Sequence, residues 1–302
     1  MTIRARLASV SLALAALPAA LAARAQEESG WRQLNMTPGV TQMSRHIYEL
    51  HMTIFWVCVV IGVFVFGAMV WSMYSFRKSR GSIADVSMVH NTKVEIVWTI
   101  VPVIILIAMA VPAAKTLIEI EDTSRTELTI KVTGFQWGWN YDYLDNNVSY
   151  YSRLDRASDF ARDLGSGVDP TTVPHYLLNV DHPLVVPVDT KVRLLITGAD
   201  VIHSWWLPAF GVKKDAIPGF VNEAWFKVDK DKPGLYRGQC AELCGRDHGF
   251  MPIVVDVRSK EDFATWLKAT AAQQKAAQPA AATAAPSAAP AARRATPSPS
   301  AS

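Results

Sequence analysis

Only three cysteines occur among 302 residues, too few to staple a disulfide scaffold. No Gly-rich phosphate loop and no G-x-S-x-G elbow is present, which weakens a nucleotide enzyme or a serine hydrolase as a reading. An excess of one charge is also missing. The 30 Lys and Arg stand against 27 Asp and Glu, a net +3 far too balanced for a dedicated nucleic-acid binder. The C-terminal tail has no C-x-x-C-H, which excludes a c-type haem domain there. What remains is half hydrophobic and 19% charged, neither disordered nor fibrous, and long enough for about two domains with tails.

The charge is unevenly placed. Residues 126–258 carry 14 basic and 17 acidic side chains, a mild acidity that suits a basic partner and equally suits plain solubility. Arg4 and Arg6 precede an apolar run from Leu7 to Ala22, followed by Ala23-Arg24-Ala25. That order predicts a cleavable signal peptide over 1–25 and an extracytoplasmic segment over 26–45. At the other end, residues 271–302 are mostly Ala, Pro, Ser, Thr and Gln, and their composition predicts a disordered tail.

Two uncharged runs lie between. Met52 to Phe76 and Ile96 to Ala114, 25 and 19 residues long, each suffice for a bilayer core of about 30 Å. Trp56, Trp71, Tyr74 and Trp98 suit the interfaces. The predicted hairpin therefore occupies 46–117. Arg77, Lys78, Arg80 and Lys93 between the runs face only Asp85 and Glu95, whereas the segment after the second run is mostly acidic. The positive-inside rule puts this loop in the cytoplasm and both ends outside, which the signal peptide requires independently. The chain is thus expected in a bacterial inner membrane, with everything after residue 117 in the periplasm.

From Thr126 the periodicity changes. Glu127–Thr133, His175–Val180, Lys191–Thr197, Glu223–Val228 and Ile253–Val257 alternate, with Gly, Pro and Asp between them. Short strands so punctuated predict an all-β sandwich or barrel over 118–258. Asn146 to Thr172 is polar and reads as a surface excursion with one helical turn at 158–164. Ser259 and Asp262 form a capping box for a short helix over 259–270.

The informative stretch is Gly238-Gln-Cys240-Ala-Glu242-Leu-Cys244-Gly-Arg-Asp-His248-Gly-Phe-Met251-Pro252, with His203 upstream in Asp-Val-Ile-His-Ser-Trp-Trp. Thiolate and thioether are soft ligands that favour copper, zinc or iron–sulfur, and His with Cys and a weak Met favours copper electron transfer. Two thiolates can bridge two metal ions, leaving one His for each, with Met251 and a carbonyl such as that of Glu242 completing the set. A shared pair delocalises one electron, which suits transfer rather than chemistry on a substrate. A Cys240–Cys244 disulfide and a structural Cys2His2 zinc site stay open as alternatives. His46, His51, His90, His175 and His182 have no thiolate neighbour, and Cys58 reads as packing within a span.

Taken together, Cys-x-Glu-x-Cys-x3-His-x2-Met, His203-Ser-Trp, Val94–Pro102, Lys214–Gly219 and Met251–Val255 resemble subunit II of the haem–copper cytochrome c oxidases, from about residue 40 to 268. The resemblance implies a two-helix transmembrane hairpin followed by a cupredoxin-like Greek-key domain with a binuclear CuA centre. It implies that His203, Cys240, Cys244, His248 and Met251 bind two coppers by side chain, and Glu242 by its carbonyl. The Glu242 carboxylate would reach magnesium or manganese at the interface with the catalytic subunit I, which carries the haems. Phe135-Gln-Trp137-Gly-Trp139 resembles the family's aromatic stretch, so Trp137 would accept the electron from cytochrome c. Phe135 and Gly138 depart from its common form, and Phe220 stands where many members carry Arg. Glu95 would sit at the mouth of a proton-uptake path, although a carboxylate at a helix N-terminus is also favoured by the dipole. The partners implied are subunit I, other oxidase subunits, cytochrome c and the lipid bilayer, with no nucleic acid. The alternative is a membrane-anchored copper-delivery protein, or a structural subunit without a redox centre.

Overall fold

The computed structural model describes residues 34–81, 83 and 90–277. The predicted signal peptide and the tail beyond residue 277 lie outside the described residues.

Two long helices come first: α1, Gln42–Ser75, and α2, Thr92–Glu121. Both are long and apolar enough to cross a membrane, and their apolar side chains face outward rather than into a protein core. Each is longer than its uncharged run. At about 1.5 Å per residue, α1 is about 51 Å long, well beyond the hydrocarbon core. The extra turns carry Arg45, His46 and Glu49 in α1, and Glu119 and Glu121 in α2. They continue as helix because a second body braces them. Thr41 caps α1 by accepting from the Ser44 amide (3.0 Å) while donating to the Phe210 carbonyl (2.9 Å).

That second body is a sandwich of two five-stranded sheets. The strands are β1 (Leu128–Phe135), β2 (Gly138–Tyr143), β3 (Val148–Ser152), β4 (Leu184–Pro187), β5 (Val192–Gly198), β6 (His203–Leu207), β7 (Val212–Ala216), β8 (Asn222–Phe226), β9 (Gly234–Cys240) and β10 (Pro252–Arg258). One sheet has the order β3-β2-β1-β5-β8 and the other β4-β10-β9-β6-β7. β1–β5 and β4–β10 pair in parallel, and the remaining neighbours are antiparallel. Strict alternation in β1 sends Leu128, Ile130 and Val132 inward, where they meet Tyr141, Leu194, Trp205, Phe226, Ile253 and Val255.

Three expectations need correction. Residues 175–180 are not a strand. His175 and Leu177 lie in the left-handed region (φ 52° and 62°), and only Val180 bridges, to Leu154. Side chains satisfy this backbone: Ser158 Oγ accepts the Leu177 amide, and Asn179 Nδ2 donates to the Pro174 carbonyl (3.1 Å). The 146–172 excursion contains an edge strand, β3, whose Val148 and Ser152 face inward against β2; its helical turn is the short helix α3, Arg156–Ala161. The C-terminal helix does not stop at 270. α4 spans Lys260–Ala277, entering the segment expected to be disordered. Alanine favours helix, and Gln274 pins this end by pairing with both backbone groups of Ser149 on β3 (3.2 and 2.7 Å). At its start, Ser259 and Asp262 do form the cap (3.0 Å).

The hairpin and sandwich join through polar contacts. Trp225 Nε1 donates to the Glu119 carbonyl (3.2 Å) and Arg45 pairs with Asp229, while within the hairpin His46 Nδ1 lies 3.2 Å from Glu119 Oε2. Just beyond α2, Thr123 Oγ1 donates to Glu223 Oε2 (2.7 Å), which also takes the Arg193 guanidinium (3.0 Å). Arg193 and then Thr123 hold the Glu223 carboxyl below the usual carboxylate range. A depressed pKa contributes stability above the unfolded-state value and loses it as pH falls through the folded value. Glu223→Gln is therefore expected to flatten the stability lost below about pH 4. Thermal unfolding of the full chain in detergent at neutral and acidic pH measures this. An unchanged acid dependence would show that the clasp is inert.

Candidate metal centre

β6 and β9 build the site. They are antiparallel neighbours, with Trp205 opposite Cys240, so His203 at the head of β6 comes beside Cys240 at the foot of β9. Their close approach uses Gly238, where any Cβ would stand 2.0 Å from the Trp206 carbonyl oxygen. After Cys240 the chain leaves the sheet as a loop that brings Cys244, His248 and Met251 back over the same point before β10 begins.

The donors converge. One ligand atom each from His203, Cys240 and Cys244 lie within 4.8 Å of one another, and all three residues are buried. The two sulfurs are 3.9 Å apart and unbonded. Cys244 Sγ is 3.6 Å from His248 Nδ1 and 3.4 Å from Met251 Sδ. The Glu242 carbonyl accepts from the Cys240 thiol (3.3 Å), while its side chain is exposed. His203 Nδ1 is buried without a hydrogen-bond partner, and its Nε2 contacts Asp200 Oδ1 (2.9 Å). A fully buried imidazole with one nitrogen oriented by a carboxylate and the other unpaired is the arrangement of a metal ligand.

Electrostatics favour a cation here. Burial raises the Cys240 thiol pKa, but His203 and backbone groups of Ser204 and Glu242 outweigh it and bring the pKa below the usual value. Burial and the neighbouring Cys240 thiolate push Cys244 up. A second thiolate beside the first is thus disfavoured until positive charge arrives. Burial opposes a charged His203, yet Cys240 and Asp200 together raise its pKa. The residues fit a soft metal group through two sulfurs, a thioether, two imidazoles and a carbonyl.

Trp137 sits in the β1–β2 turn, half-buried. Its Nε1 donates to the Cys244 carbonyl (3.1 Å), and Gln136 Nε2 donates to the same oxygen (2.9 Å). Phe135 and Gly138 prove to be neighbours. A Cβ at 138 would lie 2.7 Å from the Phe135 ring, so the large and the small residue share one space. Glu95 is not part of this centre. It lies in the first turn of α2, at the opposite end of the hairpin from the sandwich, and its Oε1 accepts the Asn91 amide (3.2 Å).

Several residues escaped the sequence reading. Gly134 on β1 lies under the His203 ring, 2.9 Å from where a Cβ would be. Trp139 meets His203 edge-on (6.0 Å) and donates to the Met251 carbonyl (3.3 Å). Asp200 had a faint signal as a carboxylate three residues before a histidine. Gly134 had none, and Trp139 stood only within the aromatic stretch from Phe135, with no tie to the loop, because strand pairing alone brings them here.

A membrane hairpin carrying a β-sandwich with a buried sulfur–imidazole cluster defines a class, the membrane-anchored domain with a candidate soft-metal centre. Family comparison narrows this. "Cytochrome C oxidase subunit II, periplasmic domain" matches residues 128–258, and the corresponding "transmembrane domain" matches 29–116. The probable cytochrome c oxidase subunit 2 of Rickettsia bellii is 39% identical over 254 residues, covering 84% of this chain and 88% of that one. Cytochrome c oxidase subunit 2 of Cereibacter sphaeroides is 36% identical over 269 residues, with the same two coverages. The crystal structure of the periplasmic domain of subunit II of cytochrome oxidase (CoxB) of Bradyrhizobium japonicum is 44% identical. It covers 49% of this chain and 96% of that chain, with a TM-score of 0.43. The chain belongs to the cytochrome c oxidase subunit II family.

Gly134→Ala is expected to displace the His203 ring and lower metal uptake several-fold, because the added Cβ would stand 2.9 Å from a fully buried ring. Metal content per chain after reconstitution measures this. Full uptake by the variant would show that the close packing is immaterial.

Proposed function

We propose that this chain is the electron-accepting subunit of a proton-pumping terminal oxidase in a bacterial inner membrane, with its sandwich in the periplasm. A pair of copper ions bound here would supply a one-electron carrier between reduced cytochrome c and a haem of subunit I, where oxygen is reduced. The single observation that carries the reading is the donor set: two unbonded buried sulfurs beside a buried imidazole nitrogen with no partner. A disulfide would need the sulfurs at about 2.05 Å.

His203 and His248 would each serve one copper, Cys240 and Cys244 would hold both, and Met251 and the Glu242 carbonyl would complete the set. The exposed Glu242 carboxylate is free to reach magnesium or manganese shared with the catalytic subunit. Trp137 would receive the electron, since one hydrogen bond joins its ring to the backbone of a copper-binding cysteine. The mildly acidic sandwich suits a basic cytochrome c. Glu95 is assigned the mouth of a proton-uptake path in the neighbouring subunit.

Metal analysis and electron paramagnetic resonance of the full chain in detergent test the centre. The expected result is two coppers per chain with a mixed-valence signal, lost in Cys240→Ser. Zinc, a single copper or no metal would overturn it. In the assembled oxidase, Trp137→Phe is expected to slow electron arrival from reduced cytochrome c at least about tenfold with the copper signal intact. Glu95→Gln keeps an oxygen for the Asn91 amide, so a drop in turnover without loss of assembly would separate proton uptake from helix capping.

A further inference from the structure

The excursion between β3 and β4 is tied down at both ends. Leu154 bridges Val180, the Asp181 amide donates to the Arg153 carbonyl (3.0 Å), and the Arg153 amide donates to Asp181 Oδ1 (2.8 Å). Asn179 Oδ1 accepts from Arg237 Nε and Nη2 (3.2 and 3.1 Å) on β9, the strand that ends at Cys240. Inside it, α3 is capped by Asp155 and buries Ser158 and Ala161. This fixes the direction of the residue at its C-terminus, Arg162.

Arg162 reaches the metal loop. Its Nη1 lies 3.8 Å from Asp247 Oδ1, and its guanidinium carbon lies 4.4 Å from the centre of the Phe250 ring. Its Nε donates to Asp159 Oδ1 (2.8 Å), which fixes the plane of the guanidinium. Asp247 directly precedes His248, and Phe250 directly precedes Met251. One cation thus grips the residue ahead of each of the two last donors. The Asp247 side chain is only 15% exposed, so its charge is poorly solvated without a partner; Arg246 meets its other oxygen from the solvent side (3.2 Å). The loop's own backbone bonds here include those from the His248 amide to the Gly245 carbonyl (3.2 Å) and from the Phe250 amide to the Asp247 carbonyl (2.9 Å). Trp139 holds the Met251 carbonyl from within, and Arg162 closes the loop from outside.

We propose that Arg162 is a positioning residue: it presents His248 and Met251 to the metal by holding Asp247 and Phe250, which makes the 153–183 excursion part of the metal site's supporting wall. A guanidinium has separate N–H groups for Asp159 and Asp247 and a face for the Phe250 ring, whereas an ammonium is a compact point charge that cannot reproduce that spread. The inference rests on the proposed metal reading for the role of the two donors, while the hold of Arg162 on the loop is tested without metal.

The test uses the full chain in detergent, first metal-free and reduced, by hydrogen exchange. In Arg162→Ala, amides in residues 245–251 are expected to exchange about tenfold faster, while β1 and β5 are unchanged. Arg162→Lys should fall between, and Arg156→Ala, an exposed residue of the same helix, should match the unmodified chain. With copper bound, the Ala variant should keep its metal but shift the mixed-valence signal. Exchange in 245–251 within about twofold of the unmodified chain overturns the proposal. So does a rise spread over the whole sandwich, which would mark a general loss of stability. If the unmodified chain takes up no copper pair, the copper reading fails, while the exchange experiment still decides the role of Arg162.

Discussion

Two buried thiols held 3.9 Å apart are the constraint around which the sandwich is organised. Neither is free to move away, because Cys240 ends a strand in the sheet and Cys244 is held through its carbonyl by Gln136 and Trp137. Ionising both without a counter-charge places two anions side by side in a poorly solvated site. A cationic partner removes that conflict, and the surrounding donors are a thioether, two imidazoles and the Glu242 carbonyl. The same hydrogen bonds that hold Cys244 also place the one half-buried indole of the β1–β2 turn against the site.

The hairpin is more than an anchor. Its helices outrun their apolar segments and meet the sandwich through a capped Thr41, the Glu119 carbonyl and the Thr123–Glu223–Arg193 cluster. These contacts are polar and local, so they set where the sandwich sits relative to the ends of the spans without enlarging its core. The excursion after β3 does something comparable for the metal loop, bonding to β9 at one point and touching the loop at another.

Legibility varied with the range of the determining contacts. Alternation revealed β1, β5 and β8 because each buries one face, and β10 through its apolar run, so the pattern is present within the strand. It misled at 175–180, where alternation coincides with left-handed residues satisfied by Ser158 and Asn179. It missed β3, an edge strand whose outward Ser149 and Tyr151 resemble their polar surroundings. The helix over 260–277 was cut short because alanine-rich composition describes a disordered tail and a helix equally well. Gln274 on the edge of β3 decided between them, a contact 125 residues distant.

The same division applies to the centre. By itself, the order of residues determined the donor types, the four-residue steps from Cys240 to Cys244 to His248, the two spans and the change of period at 126. All are encoded within one segment and read by local rules. His203, 37 positions before Cys240, was already named by the family resemblance; the tertiary structure alone decided that Gly134 leaves room for its ring, that Asp200 orients it, and that Arg162 reaches Asp247 and Phe250. These depend on which strands pair and in what register. Register is a property of two distant segments together, so neither segment carries it alone.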